Sequence, residues 1–253
     1  MGALPDAVLI GVHHDGGMDN DHRADTDWAG EVEQHLLYGR DQEAAQLAAR
    51  HLRNDQTHTR TAMRGDFTMG PLEQLDELEP LLGQVASNIT PDDLDSRTPC
   101  ANFTVRGVLG HMIAGGTQFA AAFRGQVPVE VPADVAESPD VVARAGSALG
   151  ELMAAIRSPG ALERTVAAPF GEMPGEAFAR FVVLDGLVHG WDLAKATGQT
   201  YEPSDRLVAE VDAFTREAIT PQMRDGDTFA AAVEPPAGST PIEQLAAFTG
   251  RTV

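Results

Sequence analysis

Residues 175–199, GEAFARFVVLDGLVHGWDLAKATGQ, are the most apolar helical stretch of the chain, and they predict the central element of its fold. The helix is expected to close at Gly198, because glycine commonly follows the last helical turn. Within it, Asp185 and His189 lie four residues apart, so both side chains point to the same face, one turn apart. Two interpretations follow: a core histidine with an acidic partner, or two ligands of one metal ion.

Other segments after residue 70 carry the helical period or residues that begin helices, which predicts an all-α fold, an up-down helical bundle. Thr104, Ser138 and Ser204 are the expected N-caps of three of these helices. A short extended excursion is expected at 162–174. The predicted helices besides the central one span 71–89, 104–125, 138–158, 204–219 and 240–250.

The composition of the chain changes near residue 68, which predicts two parts. Residues 1–68 form an N-terminal extension, with a polar, acidic stretch at 13–27 expected to be poorly ordered and a helical stretch at 28–53. Residues 69–253 form the bundle. We expect the extension to be dispensable for the bundle and its site.

Charge and cysteine content exclude several classes of function. The chain has 18 Lys and Arg against 38 Asp and Glu, a net charge of −20, which argues against binding nucleic acid or an anionic membrane. Its one cysteine, Cys100, rules out an internal disulfide and fits a reducing cytoplasm. The opening residues lack a basic region and a long apolar run, so neither a signal peptide nor a membrane span is expected.

Two histidines, His111 and His189, lie in bundle stretches that are otherwise without charged residues, VLGHMIAGG and LVHGW. An unpaired polar ring is costly to bury there. Each histidine alone is explained by a hydrogen bond in the core. Together with Asp185, they would supply two imidazoles and one carboxylate from two helices, a donor set suited to Zn²⁺ or another divalent metal. The spacing leaves both interpretations open.

Other polar residues give weaker evidence for a functional site. Glu31 and His35 share a helix face, but on a polar segment where a solvated ion pair explains them. Cys100 precedes a helix start, where a thiolate can be stabilised, and a half-buried structural cysteine is the alternative we favour. If the two histidine-bearing helices run antiparallel, Arg106 and Asp192 are expected to form a structural pair beneath the site; two solvated charges are the alternative.

Two motifs taken together resemble the DinB-like, or YfiT-like, metalloenzyme superfamily. They are SRTPCANFTVRGVLGHMIAGG at 96–116 and DGLVHGWDLAKATG at 185–198, with a similar tail at 235–251. The branch is that of actinobacterial proteins similar to the N-terminal domain of mycothiol-dependent maleylpyruvate isomerase. The resemblance covers about residues 70–250. Phe103 follows Asn102 where relatives commonly have Gly-Trp, which we expect to alter packing rather than chemistry.

The resemblance implies a four-helix bundle that binds a divalent metal, usually zinc, through His111, Asp185 and His189. It implies an enzyme that uses a low-molecular-weight thiol such as mycothiol as cosubstrate, an S-transferase or isomerase acting on a small electrophile. It assigns no catalytic residue beyond the ligands. The alternative is a non-catalytic metal-binding or small-molecule-binding regulatory protein on the same bundle. Either is expected to be cytoplasmic, as a monomer or homodimer.

Overall fold

The structure is a computed structural model that describes residues 67–127, 130–168, 171–224 and 229–253. This part of the chain is mostly helical, which confirms the predicted all-α bundle. The predictions for residues 1–66, including Glu31 and His35, lie outside the described residues. The helices are α1 (Pro71–Ser87), α2 (Val105–Phe123), α3 (Val141–Ile156), α4 (Gly175–Ala196), α5 (Asp205–Ala218) and α6 (Pro241–Phe248), with strands β1 (Thr165–Ala168) and β2 (Gly171–Pro174) between α3 and α4.

Helices α1 to α4 form the bundle, in which α1 packs on α3 and α4, and α2 also packs on α3 and α4. Helices α5 and α6 cover α4 from outside. Helix α4 therefore has neighbours nearly all round, and 17 of its 22 residues are buried. This burial explains why its sequence is apolar on every side instead of along one stripe. The strands β1 and β2 form an antiparallel hairpin, with Val166 opposite Met173, in the segment expected to be extended.

Two of the three predicted N-caps are confirmed. The Thr104 hydroxyl accepts a hydrogen bond from the Gly107 N–H at 3.2 Å, and the Ser204 hydroxyl accepts one from the Leu207 N–H at 3.1 Å. The N-cap expected at Ser138 is wrong, since α3 begins at Val141. Pro139 favours an extended conformation in the residue before it, and Ser138 is extended. A turn, in which the Val141 N–H donates to the Ser138 carbonyl oxygen, then leads into the helix.

Glycines allow close approach between the bundle helices at two positions. A Cβ added at Gly190 of α4 would lie 2.9 Å from Leu82 Cδ2 of α1 and 2.6 Å from Tyr201 Oη. A Cβ at Gly116 of α2 would lie 2.9 Å from the Ala148 carbonyl oxygen of α3. Gly190, next to His189, thus allows α1 and α4 to pack closely against each other. None of the described helices is long and apolar enough to cross a membrane.

Candidate metal centre

Helices α2 and α4 bring together the three side chains expected to bind a metal. His111 Nε2 lies 3.1 Å from Asp185 Oδ1, and His189 Nε2 lies 3.5 Å from the same oxygen. One nitrogen or oxygen atom from each of the three residues lies within 4.8 Å of the others. Asp185 and His189 meet because they are one turn apart on α4, and His111 joins them because α2 packs on α4.

The donor set fits a divalent metal such as zinc. Two imidazole nitrogens and a carboxylate oxygen are ligands that zinc takes in catalytic sites, with a further position left open. Bonds of about 2.0–2.1 Å in a tetrahedral site place neighbouring ligand atoms roughly 3.3–3.4 Å apart. The separations of 3.1 and 3.5 Å from Asp185 Oδ1 to the two histidine nitrogens straddle that value, and the two nitrogens lie within 4.8 Å of each other. The residues at this site could therefore hold a metal ion.

The His189 ring is held by a buried ion pair on its other side. His189 Nδ1 lies 3.0 Å from Asp192 Oδ2, and the same oxygen accepts hydrogen bonds from Arg251 Nη2 at 3.2 Å and Nε at 3.3 Å. The Asp192 carboxylate has no exposed surface and His189 is 5% exposed. The Asp192 carboxylate accepts the Nδ1 proton, so Nε2 is the ring nitrogen that faces Asp185 and is left for a metal ion. This is the hydrogen-bonding pattern that orients a metal-binding histidine.

The predicted pair between Arg106 and Asp192 is wrong, although Asp192 does lie next to the site. Arg106 donates to the Ala136 carbonyl oxygen at 3.1 Å and has Asp95 3.5 Å from its Nε. It thus ties the loops on either side of α2 to that helix. Asp192 is instead neutralised by Arg251, a residue from the chain after α6.

Interactions within the cluster shift the pKa of Asp185 and of His111. Burial works to raise the pKa of the Asp185 carboxyl, but the charges of His111 and His189 and the hydrogen bond from His111 hold it well below its usual range. In return, the Asp185 charge raises the pKa of the His111 imidazole. The cluster therefore keeps Asp185 ionised, as a metal-binding carboxylate must be.

Phe103 packs directly against the site. Its ring centroid lies 5.6 Å from that of His111 and 6.0 Å from that of His189. Position 103, where relatives are expected to carry Trp, therefore lies next to two candidate ligands, and an effect on packing alone stays a prediction. The ring limits the access of water to both imidazoles from this side.

Cys100 lies in the same loop and lines the cavity at the site, where it is half-buried. Burial raises the pKa of its thiol, and the positive charge of Arg251 only partly opposes this effect. A raised pKa favours the protonated thiol, and the half-buried position is the one expected of a structural cysteine.

A cavity of about 340 Å³ is lined by the candidate ligands and by residues of all four bundle helices. Cavities of this size suit small molecules. Sequence reasoning did not anticipate it, because its wall comes from all four bundle helices and three loops. Sequence reasoning also missed Phe103 and Arg251 as site residues. Phe103 could have been found as the aromatic residue next to the predicted N-cap Thr104. Arg251 could have been found as the arginine that ends the tail at 235–251, which shares the family resemblance.

The fold and the three-residue cluster define a helical bundle with a candidate metal site, and comparisons with known proteins give its family. The chain belongs to the family described as the mycothiol maleylpyruvate isomerase N-terminal domain, which its residues 72–194 match. All three candidate ligands lie in that range, whereas Arg251 lies outside it.

Relatives of this chain occur in Mycobacterium tuberculosis. The uncharacterized protein MT0763 of strain CDC 1551 / Oshkosh is 34% identical over 190 residues, which are 73% of this chain and 100% of the relative. The uncharacterized protein Rv0738 of strain ATCC 25618 / H37Rv matches with the same identity and coverage. No solved structure matches the chain.

Proposed function

We propose that this protein is a metal-dependent enzyme that joins a low-molecular-weight thiol, such as mycothiol, to a small electrophile, or uses the thiol as cofactor in an isomerisation. We further propose zinc as the metal and the cytoplasm as its place of action, as a monomer or homodimer. The observation that carries the proposal is the cluster of His111, Asp185 and His189 in the wall of a cavity of small-molecule size. Membership of a family named after a mycothiol-dependent isomerase supports the choice of thiol.

Each residue of the site has a separate task in this proposal. His111, Asp185 and His189 would hold the metal, and a divalent metal supplies a lowered pKa for a thiol that binds to it. Asp192 keeps the His189 ring in one tautomer, and Arg251 neutralises Asp192. Phe103 limits water around both imidazoles. Cys100 has no part in the reaction, because the thiol comes from the cosubstrate.

The first test is the metal content of the purified protein. We expect about one zinc-like ion per chain in the wild type, by elemental analysis, and its loss in His111→Ala and His189→Ala. Asp185→Asn should weaken binding less than either histidine substitution, because an amide oxygen remains. His58→Ala serves as the control, since it removes a histidine outside 69–253 and should keep the metal. Equal metal in folded wild type and both histidine variants would contradict the site.

The second test is thiol-dependent consumption of a generic electrophile. Monochlorobimane with mycothiol should react faster with the wild type than with His189→Ala, and Cys100→Ser should keep the wild-type rate. Glutathione and bacillithiol, in parallel, would define the thiol. If the wild type binds metal and thiol but never accelerates the reaction, the protein is a metal-binding or small-molecule-binding protein and the enzymatic proposal fails.

A further inference from the structure

The cavity at the candidate metal centre has two ends of different chemistry. Its polar end holds the candidate ligands, Cys100 and Arg251. Its other end is lined by Phe119 of α2 and Phe178 of α4, whose rings are in edge-to-face contact with centroids 4.8 Å apart. From His111 to Phe119 the cavity follows α2 for about 12 Å, at a rise of ~1.5 Å per residue.

The wall of the inner end is apolar on all sides. Helix α1 contributes Leu75 and Leu78, α3 contributes Leu149 and Leu152, and α4 contributes Val182 among others. The N-, O- or thiol-bearing side chains in the wall, among the described residues, all belong to the polar end: Cys100, Asn102, His111, Asp185, His189, Thr249 and Arg251.

The charges at the polar end of the cavity do not favour a polyanionic substrate. Arg251 is the one Lys or Arg among the described residues of the wall, and its guanidinium already pairs with the buried Asp192 carboxylate at 3.2 Å. Asp185 adds a negative charge to the same wall, and the whole chain carries a net charge of −20. A dicarboxylate entering the cavity would lose water without finding an unpaired Lys or Arg among the described residues of this wall, and in the proposed function the thiol takes the open position of the metal.

We infer that the electrophile is an apolar molecule, with an alkyl or aryl body that fills the inner cavity and a reactive carbon held at the metal end. The reaction of this electrophile with a thiol rests on the proposed function. The binding of its apolar body to the cavity does not depend on that function. An alkyl chain entering the cavity would bury its surface against leucine, valine and phenylalanine side chains. Each added CH₂ group is expected to raise the binding affinity about fourfold.

A terminal alkyl epoxide represents this class. The thiol sulfur attacks the terminal carbon, so one C–S bond forms and one C–O bond of the ring breaks. The thiol proton passes to the released alkoxide oxygen and gives the hydroxyl of a hydroxyalkyl thioether. The step consumes one thiol and one epoxide and needs no oxidant, reductant or further reactant.

Binding is measured first, without thiol or turnover. Butanol, hexanol and octanol compete with Nile red for the full-length wild-type protein, with and without added Zn²⁺, and displacement is followed by fluorescence. We expect the dissociation constant to fall about fourfold for each added methylene. Equal affinity for the three alcohols would overturn the inference.

Two matched pairs of variants locate the binding. Leu149→Ser and Val182→Thr change half-buried residues of the cavity wall, whereas Leu72→Ser and Val142→Thr change half-buried residues outside the wall. Octanol should bind several-fold more weakly to both wall variants and unchanged to both controls. The near-isosteric threonine pair keeps the test valid if a serine variant does not fold. Equal losses in wall and control variants would contradict the assigned cavity.

Turnover is then measured with mycothiol as the thiol. The electrophiles are terminal epoxides that carry ethyl, butyl or hexyl chains. They are compared with epoxysuccinate, a dianion with the same reactive ring. Values of kcat/KM that rise with chain length and are lowest for epoxysuccinate support the inference. Turnover that favours epoxysuccinate overturns it but leaves the proposed function standing. Chain-length-dependent binding without any thiol-dependent turnover supports the apolar cavity and overturns the proposed function instead.

Discussion

Asp192 and Arg251 form a buried ion pair that reaches one histidine of the candidate site. One carboxylate oxygen of Asp192 accepts from three N–H groups, one of His189 and two of Arg251. Both side chains of the pair are less than a tenth exposed. An ionised pair at this depth is stable only when its members remain together, because either charge alone would be costly in the interior. The orientation of His189 therefore depends on a residue far along the chain.

At the residue scale, we predict that Asp192→Asn lowers metal affinity by about 10–100-fold. The amide cannot replace the carboxylate as a charged acceptor for His189 Nδ1–H, and it leaves the Arg251 charge buried without its counterion. Affinity is measured by competition with a chromogenic zinc chelator, and the His189 tautomer by NMR of the imidazole nitrogens.

Asp212→Asn provides the control for that experiment, because it removes the same charge from α5, where Asp212 pairs with Arg216 at 2.8 Å. We expect its metal affinity to equal that of the wild type. An Asp192→Asn protein with wild-type affinity and the wild-type tautomer would show that the ligand is oriented by other contacts.

At the scale of the elements, contact between helices outweighs helix propensity at some glycines and not at others. A Cβ at Gly190 would force the Leu82 or Tyr201 side chain to move, whereas a Cβ at Gly146 of α3 would meet nothing within 4 Å. Both glycines lie inside helices, where alanine is intrinsically preferred. The same substitution should therefore have opposite effects at the two positions.

We predict that Gly146→Ala stabilises the protein by about 0.5–1 kcal/mol, since it gains helix propensity at no steric cost. Gly190→Ala should destabilise it, because overpacking typically costs about 1–3 kcal/mol and exceeds that gain. Both are measured by urea unfolding followed by circular dichroism. Stabilisation by both substitutions would show that α1 and α4 do not meet as closely as the structure has them.

The N-terminus of α6 supplies a prediction about pH. The Glu243 carboxylate accepts from the Thr240 N–H at 2.9 Å, from its hydroxyl at 3.0 Å and from Lys195 Nζ at 2.9 Å. These bonds, that of Lys195 foremost, lower the pKa of Glu243 from its ordinary 4.5 to about 2. A lowered pKa means that the ionised form stabilises the fold. That contribution is present above pH 4.5 and is lost as the pH falls towards 2.

We therefore predict that Glu243→Gln lowers the free energy of unfolding at pH 7 by about 0.5–1 kcal/mol, the value of an ionised group at a helix N-terminus with a partly exposed ion pair. The difference from the wild type should shrink as the pH falls below 4.5. Glu217→Gln, at an exposed position of α5, is the control and should change the unfolding free energy little. A difference that does not change with pH would contradict this account.

At the scale of the whole molecule, the residues just before α1 already pack on the bundle. The Phe67 ring lies 6.2 Å from that of Phe214 and 4.4 Å from the Arg180 guanidinium carbon. The Thr68 N–H donates to Glu210 Oε1 at 2.8 Å, and Met69 is buried. About a quarter of the chain has no counterpart in the mycobacterial relatives, whose full length matches 73% of it.

The predicted division at residue 69 can be tested with two shortened proteins, residues 67–253 and residues 69–253. The first should fold cooperatively, keep its helical circular dichroism and bind metal as the full chain does. The second loses the contacts of Phe67 and should be less stable by about 1–2 kcal/mol. Aggregation or loss of cooperative unfolding in residues 67–253 would show that the extension completes the core.

Local sequence determined the helices of the bundle and most of the candidate site. Thr104, Ser204 and the glycines after α2 and α4 act through neighbours a few residues away, so their effects can be read from the chain alone. Asp185 and His189 share a face because of the helical period. The joining of His111 to them was an interpretation of the sequence and of its family resemblance.

Tertiary structure decided which charges meet and what the bundle encloses. Asp192 is 59 residues from Arg251, and no local pattern links the two, whereas Arg106 found acceptors in the loops beside α2. The cavity exists because four helices each contribute an apolar surface that leaves a space between them. Such features depend on distances between elements, which helix periodicity and capping do not encode, so only the packed chain determines them.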